Sequence, residues 1–515
     1  MTTPRRILFL CSSDYGQANV ILATAHAVLA TGSPVELHIA SENRMEPQVQ
    51  DTVRLADEML PEAAPYQIHF HGIDGVSQFQ AMTRPETGIM QSWELPLPNF
   101  SNASQFMKRF SYGAMPWEPP EVVEIYTQVV KIIKEVDPDL TVVDPLYVPA
   151  LTAAYNLKLK WTVLAPNTIK DFAVPLQPYA AALWKYPVIG SALPYPIPWH
   201  LIPMNAGLLI RLVYSMLTDT RMKTATKLLR KSTGDEKLVL ITLAELGVVK
   251  PPPAGVRLLL GMSEDLDYPF SVLPAHVTPC GPIVRPAKKL ANVDSELEKW
   301  LSKGPTVYIN LGTQLAVTPD EALELTLALR DLLDTAEKSS VDDLRNLQIL
   351  WKMKRKPTEN ETDQSTNSWS GPWKAVRDTL EPEIEADRVR ITSWIEADPC
   401  SILQSGRIIC SVHHGGANSH HEAIAAGVPQ VLVPGWIDCY DFGNRVELNG
   451  VGVWASKKAA PRWERVELGN ALKEVLIGER AAQFRDKAKE VAMRHPEHAG
   501  RDKAATLILD ILDSK

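Results

Sequence analysis

The sequence predicts an α/β protein made of two doubly wound halves, and three observations carry that reading. A strand–helix–strand rhythm opens the chain. A fresh rhythm of the same kind starts near residue 304. Between residues 408 and 433 a buried strand passes through a glycine turn into a helix and then a second strand. Such repeats give right-handed parallel crossovers. With 45% hydrophobic residues in a chain of 515, there is enough apolar material for large cores.

In order, 7–12 reads as a buried strand, 18–31 as a helix stopped by Gly32, 35–40 as the second strand and 67–70 as a third. From 72 to 118 prolines and aromatics break the pattern, which predicts irregular, substrate-facing structure. Pro119-Pro120 precede a helix to about Val136, and strands follow at 140–143 and 161–165. Residues 170–235 read as helical with apolar patches, and Trp184, Tyr195, Trp199 and Tyr214 suit either a flat lipophilic ligand or ordinary packing. No residue from Gly190 to Ile210 is formally charged, but its prolines rule out a spanning helix; it lids an apolar pocket or dips into a membrane surface.

The polar stretch 285–303 is the expected linker between a domain of residues 1–284 and one of 304–490, with 491–515 as a closing helix. In the second domain, strands are predicted at 306–311 and 347–352, with Thr318-Pro319-Asp320-Glu321 as a capping box. Residues 354–387 contain a run rich in Asn, Ser, Thr and Glu that reads as an exposed insertion. Three helices, about 462–477, 481–494 and 500–513, end the chain.

The strand 408–412 opens into His414-Gly415-Gly416-Ala417-Asn418-Ser419 and a helix to about Ala426, closed by Gly427-Val428-Pro429. A glycine turn at a helix start is an anion site, because backbone N–H groups and the dipole both favour negative charge. Ser419 with Glu422 also has capping-box spacing, and spacing alone leaves both readings open.

The segment 394–447 resembles the donor-binding signature of UDP-glycosyltransferases that decorate small lipophilic molecules, particularly the fungal branch. Trp394, His414 to Ser419, Glu422, Gly427-Val428-Pro429, Pro434 and Asp438 fall in register with that signature. The resemblance implies the GT-B fold, two Rossmann-like domains facing across a cleft, with acceptor on the N-terminal side and UDP-sugar on the C-terminal side. It implies that Trp394 stacks on uracil and Glu422 accepts the ribose hydroxyls. His414, Gly416, Asn418, Ser419 and Thr313 would face the diphosphate, and Asp438 the sugar. It also implies inverting, metal-independent transfer with no cofactor besides the UDP-sugar co-substrate, and a last helix that braces the N-terminal domain. The chain departs from the pattern in several places: Ala417 stands where many plant relatives have Trp, and the residues after Trp394 are not the usual Pro-Gln. Gln17 stands where the family has its catalytic histidine, and an amide cannot take a proton at neutral pH. Cys439 replaces a glutamine found in many plant relatives. The base could then be Asp144, directly or through water, or Asp14; alternatively an acidic acceptor needs little help. Asp144 is the favoured choice.

A net charge of -8 argues against a general nucleic-acid or anionic-membrane binder. Five scattered cysteines without a paired motif suggest a reducing compartment, hence the cytoplasm. Asp137-Pro138-Asp139 reads as a turn and not a metal motif, and the histidines at 413, 414, 420 and 421 fit a phosphate site better than a metal. The expected partners are UDP-sugar and a hydrophobic small molecule, plausibly a fungal secondary metabolite, with weak membrane contact as the remaining option and no protein partner required. Two other readings stand beside this one: a non-catalytic relative serving as an accessory subunit, and a sugar-nucleotide epimerase of the same architecture.

Overall fold

The computed structural model describes residues 4–60, 66–339, 342–356 and 369–514. Within them are two all-parallel sheets, the first with an apolar core on each face: Leu8 and Leu10 of its first strand pack on one side, Ile7 and Phe9 on the other. The first contains β1 (Arg5–Leu10), β2 (Val35–Glu42), β3 (Ile68–Ile73), β4 (Leu140–Val143), β5 (Trp161–Ala165), β6 (Leu258–Leu260) and β7 (Val277–Pro279), in the order β3-β2-β1-β4-β5-β6-β7. The second contains β8 (Thr306–Asn310), β9 (Gln348–Lys352), β10 (Val389–Thr392), β11 (Ile408–His413), β12 (Gln430–Leu432) and β13 (Gly452–Trp454), in the order β10-β9-β8-β11-β12-β13. This is the expected two-sheet GT-B architecture. In each sheet the order reverses direction beside its first strand, and ligands of open α/β sheets bind at such switch points, beyond the strands' carboxyl ends.

The region 72–118 is more regular than the sequence suggested. It holds short helices and one long helix, Phe100–Ala114, whose Ala103, Phe106, Met107, Ser111 and Ala114 form a buried stripe. Asn99, which opens a sequon-like triplet, is that helix's cap: its side-chain oxygen accepts from the Asn102 N–H at 3.1 Å. The first-loop helix starts at Tyr15, three residues earlier than expected, which brings Gln17 into its first turn. The stretch 285–303 contains the helices Leu290–Val293 and Ser295–Leu301, and buried Leu290, Leu297, Trp300 and Leu301 pack it onto the second sheet. Of the expected insertion at 354–387, residues 357–368 lie outside the described residues; Lys374–Glu385 is a helix. Asp137 caps a helix with φ 48° and pairs with Arg6, while Asp139 accepts the Arg6 N–H at 2.7 Å, so this triplet is a turn.

The halves are tied by a buried ionic clamp. Arg445 donates to Asp267 at 2.7 and 2.9 Å, with both side chains fully buried, and its guanidinium lies over the rings of Tyr268 and Phe442. Lys170 meets Asp441 at 2.5 Å, and the Tyr268 hydroxyl donates to the same carboxylate at 3.0 Å. The last helix, Ala499–Asp513, returns to the first half, where its Ala504, Ala505, Ile508 and Leu512 share a core with Ile7 and Phe9 of β1.

Candidate functional site

One cavity of about 1170 Å³ lies between the sheets, at their carboxyl ends. Its C-terminal wall begins with the turn after β11. Gly416 caps the helix Ala417–Ala425, so the N–H groups of Ala417, Asn418 and Ser419 have no intrahelical acceptor and stand at the positive end of the dipole. Gly415 has φ +83°, and a Cβ there would come within 2.9 Å of the Cys439 carbonyl oxygen. Only glycine lets the two loops approach this closely.

Ser419 and Glu422 do not form a capping box, because Ser419 is the third residue of a helix already capped by Gly416. Glu422 instead lines the cavity. Burial, reinforced by nearby Asp398 and opposed by Arg285, pushes its carboxyl up to about 8. The expected box at Thr318 and Glu321 does form, with bonds of 2.7 and 3.3 Å.

The four histidines divide. His413 accepts the Gly415 N–H through Nδ1 at 3.1 Å, so its proton sits on Nε2 and is donated to the Gln430 oxygen at 2.9 Å. His420 meets the same oxygen at 2.9 Å, and both rings are buried away from the cavity. His414 alone lines the cavity, with its ring against Gly312 and Gly416 and beside Trp436. Burial lowers His414 to about 3, so it stays neutral and can offer one N–H without adding charge.

Trp394 is 57% exposed on the cavity rim, and Lys352 lies over its ring at 4.7 Å. Asp438, Cys439, Ser419 and Thr313 also line the cavity. Burial, then the neighbouring Asp171, raises Asp438 to about 6. The Asn418 amide is not free: it donates to the Tyr15 carbonyl across the cleft at 3.2 Å. Sequence reasoning passed over Lys352, Arg285, Asp171 and Trp436, which also line the space. No one motif marks them, because they come from distant parts of the chain: Lys352 ends β9, Asp171 lies in the short helix Ile169–Ala173, and Arg285 and Trp436 sit on two separate loops.

Gln17, at the family's usual base position, and the two candidate bases separate sharply. Gln17 lines the cavity, and its side-chain oxygen is buried without a hydrogen-bond partner. Asp14 also lines it but already accepts from Arg44, Ser77, Ser12 and the Phe79 N–H at 2.5 to 3.2 Å. Asp144 is fully buried and outside the cavity lining, which corrects the expectation of direct contact with an acceptor. One of its oxygens accepts the Leu146 N–H at 2.8 Å; the other has no partner, and burial raises the carboxyl to about 7.

The opposite wall is apolar, with Phe79, Trp93, Phe106, Tyr186, Leu209 and Leu212 among its residues. The four aromatics singled out from 170–235 are elsewhere. Tyr195 stacks on Tyr268 at 4.1 Å, while Trp184, Trp199 and Tyr214 are exposed at the surface.

Comparison with known proteins bears on the family and the fold. Residues 382–499 match the family described as erythromycin biosynthesis protein CIII-like, C-terminal domain. The chain is 30% identical over 460 residues to glycosyltransferase sdnJ of Sordaria araneosa, covering 88% of this chain and 84% of that one. Among solved structures, the glycotransferase of kitacinnamycin has a TM-score of 0.59 at 15% identity, covering 99% of both chains. An indoxyl-glucosylating UDP-glucosyltransferase from Polygonum tinctorium has a TM-score of 0.59 at 16% identity, covering 100% of both. At such identities these two likenesses speak for the fold alone.

Proposed function

The chain belongs to the UDP-glycosyltransferases of small-molecule type, and from that premise we propose that it is an inverting enzyme, needing no metal, that glycosylates a hydroxyl or carboxyl of a hydrophobic secondary metabolite. One observation carries the reading. A single cavity has an unsatisfied helix start, a neutral imidazole, a carboxyl and an indole on one wall and an apolar surface on the other. The first wall suits a nucleoside diphosphate and the second a lipophilic acceptor. The unpaired, buried cysteines suit a reducing cytoplasm.

In this reading the acceptor oxygen attacks the anomeric carbon from the face opposite the diphosphate. The new C–O bond forms as the bond to the β-phosphate oxygen breaks. The helix start and His414 take up the charge that develops on the leaving group. The acceptor proton passes beside Gln17 to the unpaired oxygen of Asp144, a step that requires water to enter between them, because that oxygen is closed off from solvent in this structure. The sugar is contacted by Asp438, with Cys439 beside it in place of an amide.

Incubating the protein with a panel of UDP-sugars and with phenol, alcohol and acid acceptors tests the reading: UDP release together with a sugar mass added to the acceptor is expected. The buried Asp144 and the amide at position 17 favour one rival, an accessory protein that binds without turnover. UDP binding with no transfer to any acceptor would establish that rival instead.

Two predictions follow from the donor wall. Trp394→Ala removes the exposed ring that would carry uracil, and stacking of a base on an aromatic is worth about 1–3 kcal/mol. A rise of about tenfold or more in the KM for UDP-sugar is expected, with kcat little changed; an unchanged KM removes Trp394 from the site. Glu422 should make UDP affinity depend on pH. Ribose hydroxyls donate best to an ionised carboxylate, and this carboxyl takes its proton up at about 8 in the empty protein. Affinity measured calorimetrically should therefore rise as pH rises through about 8, and Glu422→Gln should abolish that rise. A pH-independent affinity in the wild-type protein would separate Glu422 from the ribose.

A further inference from the structure

The helix Ile202–Thr218 has three different faces. Asn205, Leu208 and Ser215 are buried, and the Asn205 amide nitrogen binds the carbonyls of Ala182, Leu183 and Tyr186, so the helix cannot roll. Leu209, Leu212 and Met216 form part of the cavity wall. The third face points outward: Ile210 is 66% exposed, Tyr214 60% and Leu217 66%, and Trp199 just ahead of the helix is 83% exposed. Only 11% of the most apolar 18-residue stretch in this region is buried, unlike a core helix of the same composition. Chain direction breaks at Asp219, where ψ is 114°, and the next helix, Thr220–Thr233, carries five cations and no acid. Lys223, Lys227 and Lys231 are exposed at four-residue intervals on it, and none pairs with a carboxylate among the described residues.

We propose that the outward face of Trp199, Ile210, Tyr214 and Leu217, with Lys223, Lys227 and Lys231 following it, docks on an anionic lipid surface. Apolar side chains with an aromatic at the edge and lysines beside them are the combination that lies in a bilayer interface. The helix lies along such a surface and does not cross it, since its other two faces are committed to protein and cavity. The chain's overall charge of -8 does not oppose this, because charges beyond about 8 Å are screened at physiological salt and the membrane responds to the local lysines. The same helix walls the cavity. On the transferase reading above, a lipophilic acceptor dissolved in the bilayer would thus reach the cavity across one layer of side chains.

The test is flotation of the full chain with phosphatidylcholine vesicles and with vesicles that also contain phosphatidylserine, with no donor or acceptor present. Binding to the anionic vesicles that weakens with salt is expected. It should fall about fivefold for each of Lys223, Lys227 and Lys231 changed to Gln, from the surface potential each lysine senses, and be lost in I210E/L217E. Melting temperature and circular dichroism of each variant check that it is folded. No vesicle binding, or binding that these variants leave intact, overturns the proposal. A dimer in sedimentation equilibrium that I210E/L217E dissociates, without vesicle binding, also overturns it and makes the face an interface between copies. Because the measurement involves no sugar transfer, its failure leaves the transferase reading standing, and failed transfer leaves docking standing.

Discussion

Asp144→Asn is expected to lower kcat by about 10²–10⁴-fold while the KM for UDP-sugar stays within about twofold. The asparagine oxygen still accepts the Leu146 N–H, so the turn after β4 keeps its shape, but the group can no longer take a proton. If Asp144 only holds that turn, kcat will not move. The pH profile adds a second reading. Burial holds the carboxyl at about 7, and a base works ionised, so wild-type kcat should climb with pH to a plateau above about 7, a limb that the asparagine variant lacks. Stability should change in the opposite direction. The folded protein keeps a proton that the unfolded chain releases near 3.8, so folding stability falls as pH rises from there through about 7. At pH values above this window Asp144→Asn should therefore unfold at higher temperature than wild type, by at most about 4 kcal/mol of added stability, and near the window's acid end the two should agree. Loss of activity with gain of stability is the signature of a catalytic carboxyl held in an unfavourable place.

The second large effect is on the joint between the halves. Arg445→Met is expected to cost about 3–5 kcal/mol in urea unfolding, because it leaves the buried Asp267 side chain without its charged partner. Replacing both partners, Asp267→Leu with Arg445→Met, should recover much of that loss, since two apolar groups leave no stranded charge. A single-variant loss under about 1 kcal/mol would mean that the pair behaves like an exposed salt bridge. Asp267 lies in the first half and Arg445 on a helix of the second, so the weakened joint should also loosen the cleft. Proteolysis near the 265–270 loop reads this out independently.

The donor wall was legible in the sequence because it is local. Trp394, His414, Asn418, Glu422 and Asp438 fall within about 50 residues, and glycine spacing, strand and helix periodicity and turn residues act over just such distances. The same locality explains the strands read correctly at β4, β5 and β9, the strand β1 read two residues late, and the helices 119–136 and 481–494. What was missed is short or non-local. β6, β7 and β13 have three residues each, too few to show a period. The helix Phe100–Ala114 was hidden by prolines and aromatics on either side of it.

By itself, then, the sequence determined two parallel α/β halves and a phosphate-type helix start, since hydrophobic period and glycine placement act along the chain. Only the tertiary structure decided which groups share the cavity. It turned His413 and His420 onto Gln430 and left His414 at the wall. It put Glu422 in the site and not in a cap, sank Asp144 below the surface, and sent Trp199 and Tyr214 outward. The reason is physical: burial, charge and access are set by what packs against a residue from distant parts of the chain, and spacing along a sequence carries no record of that.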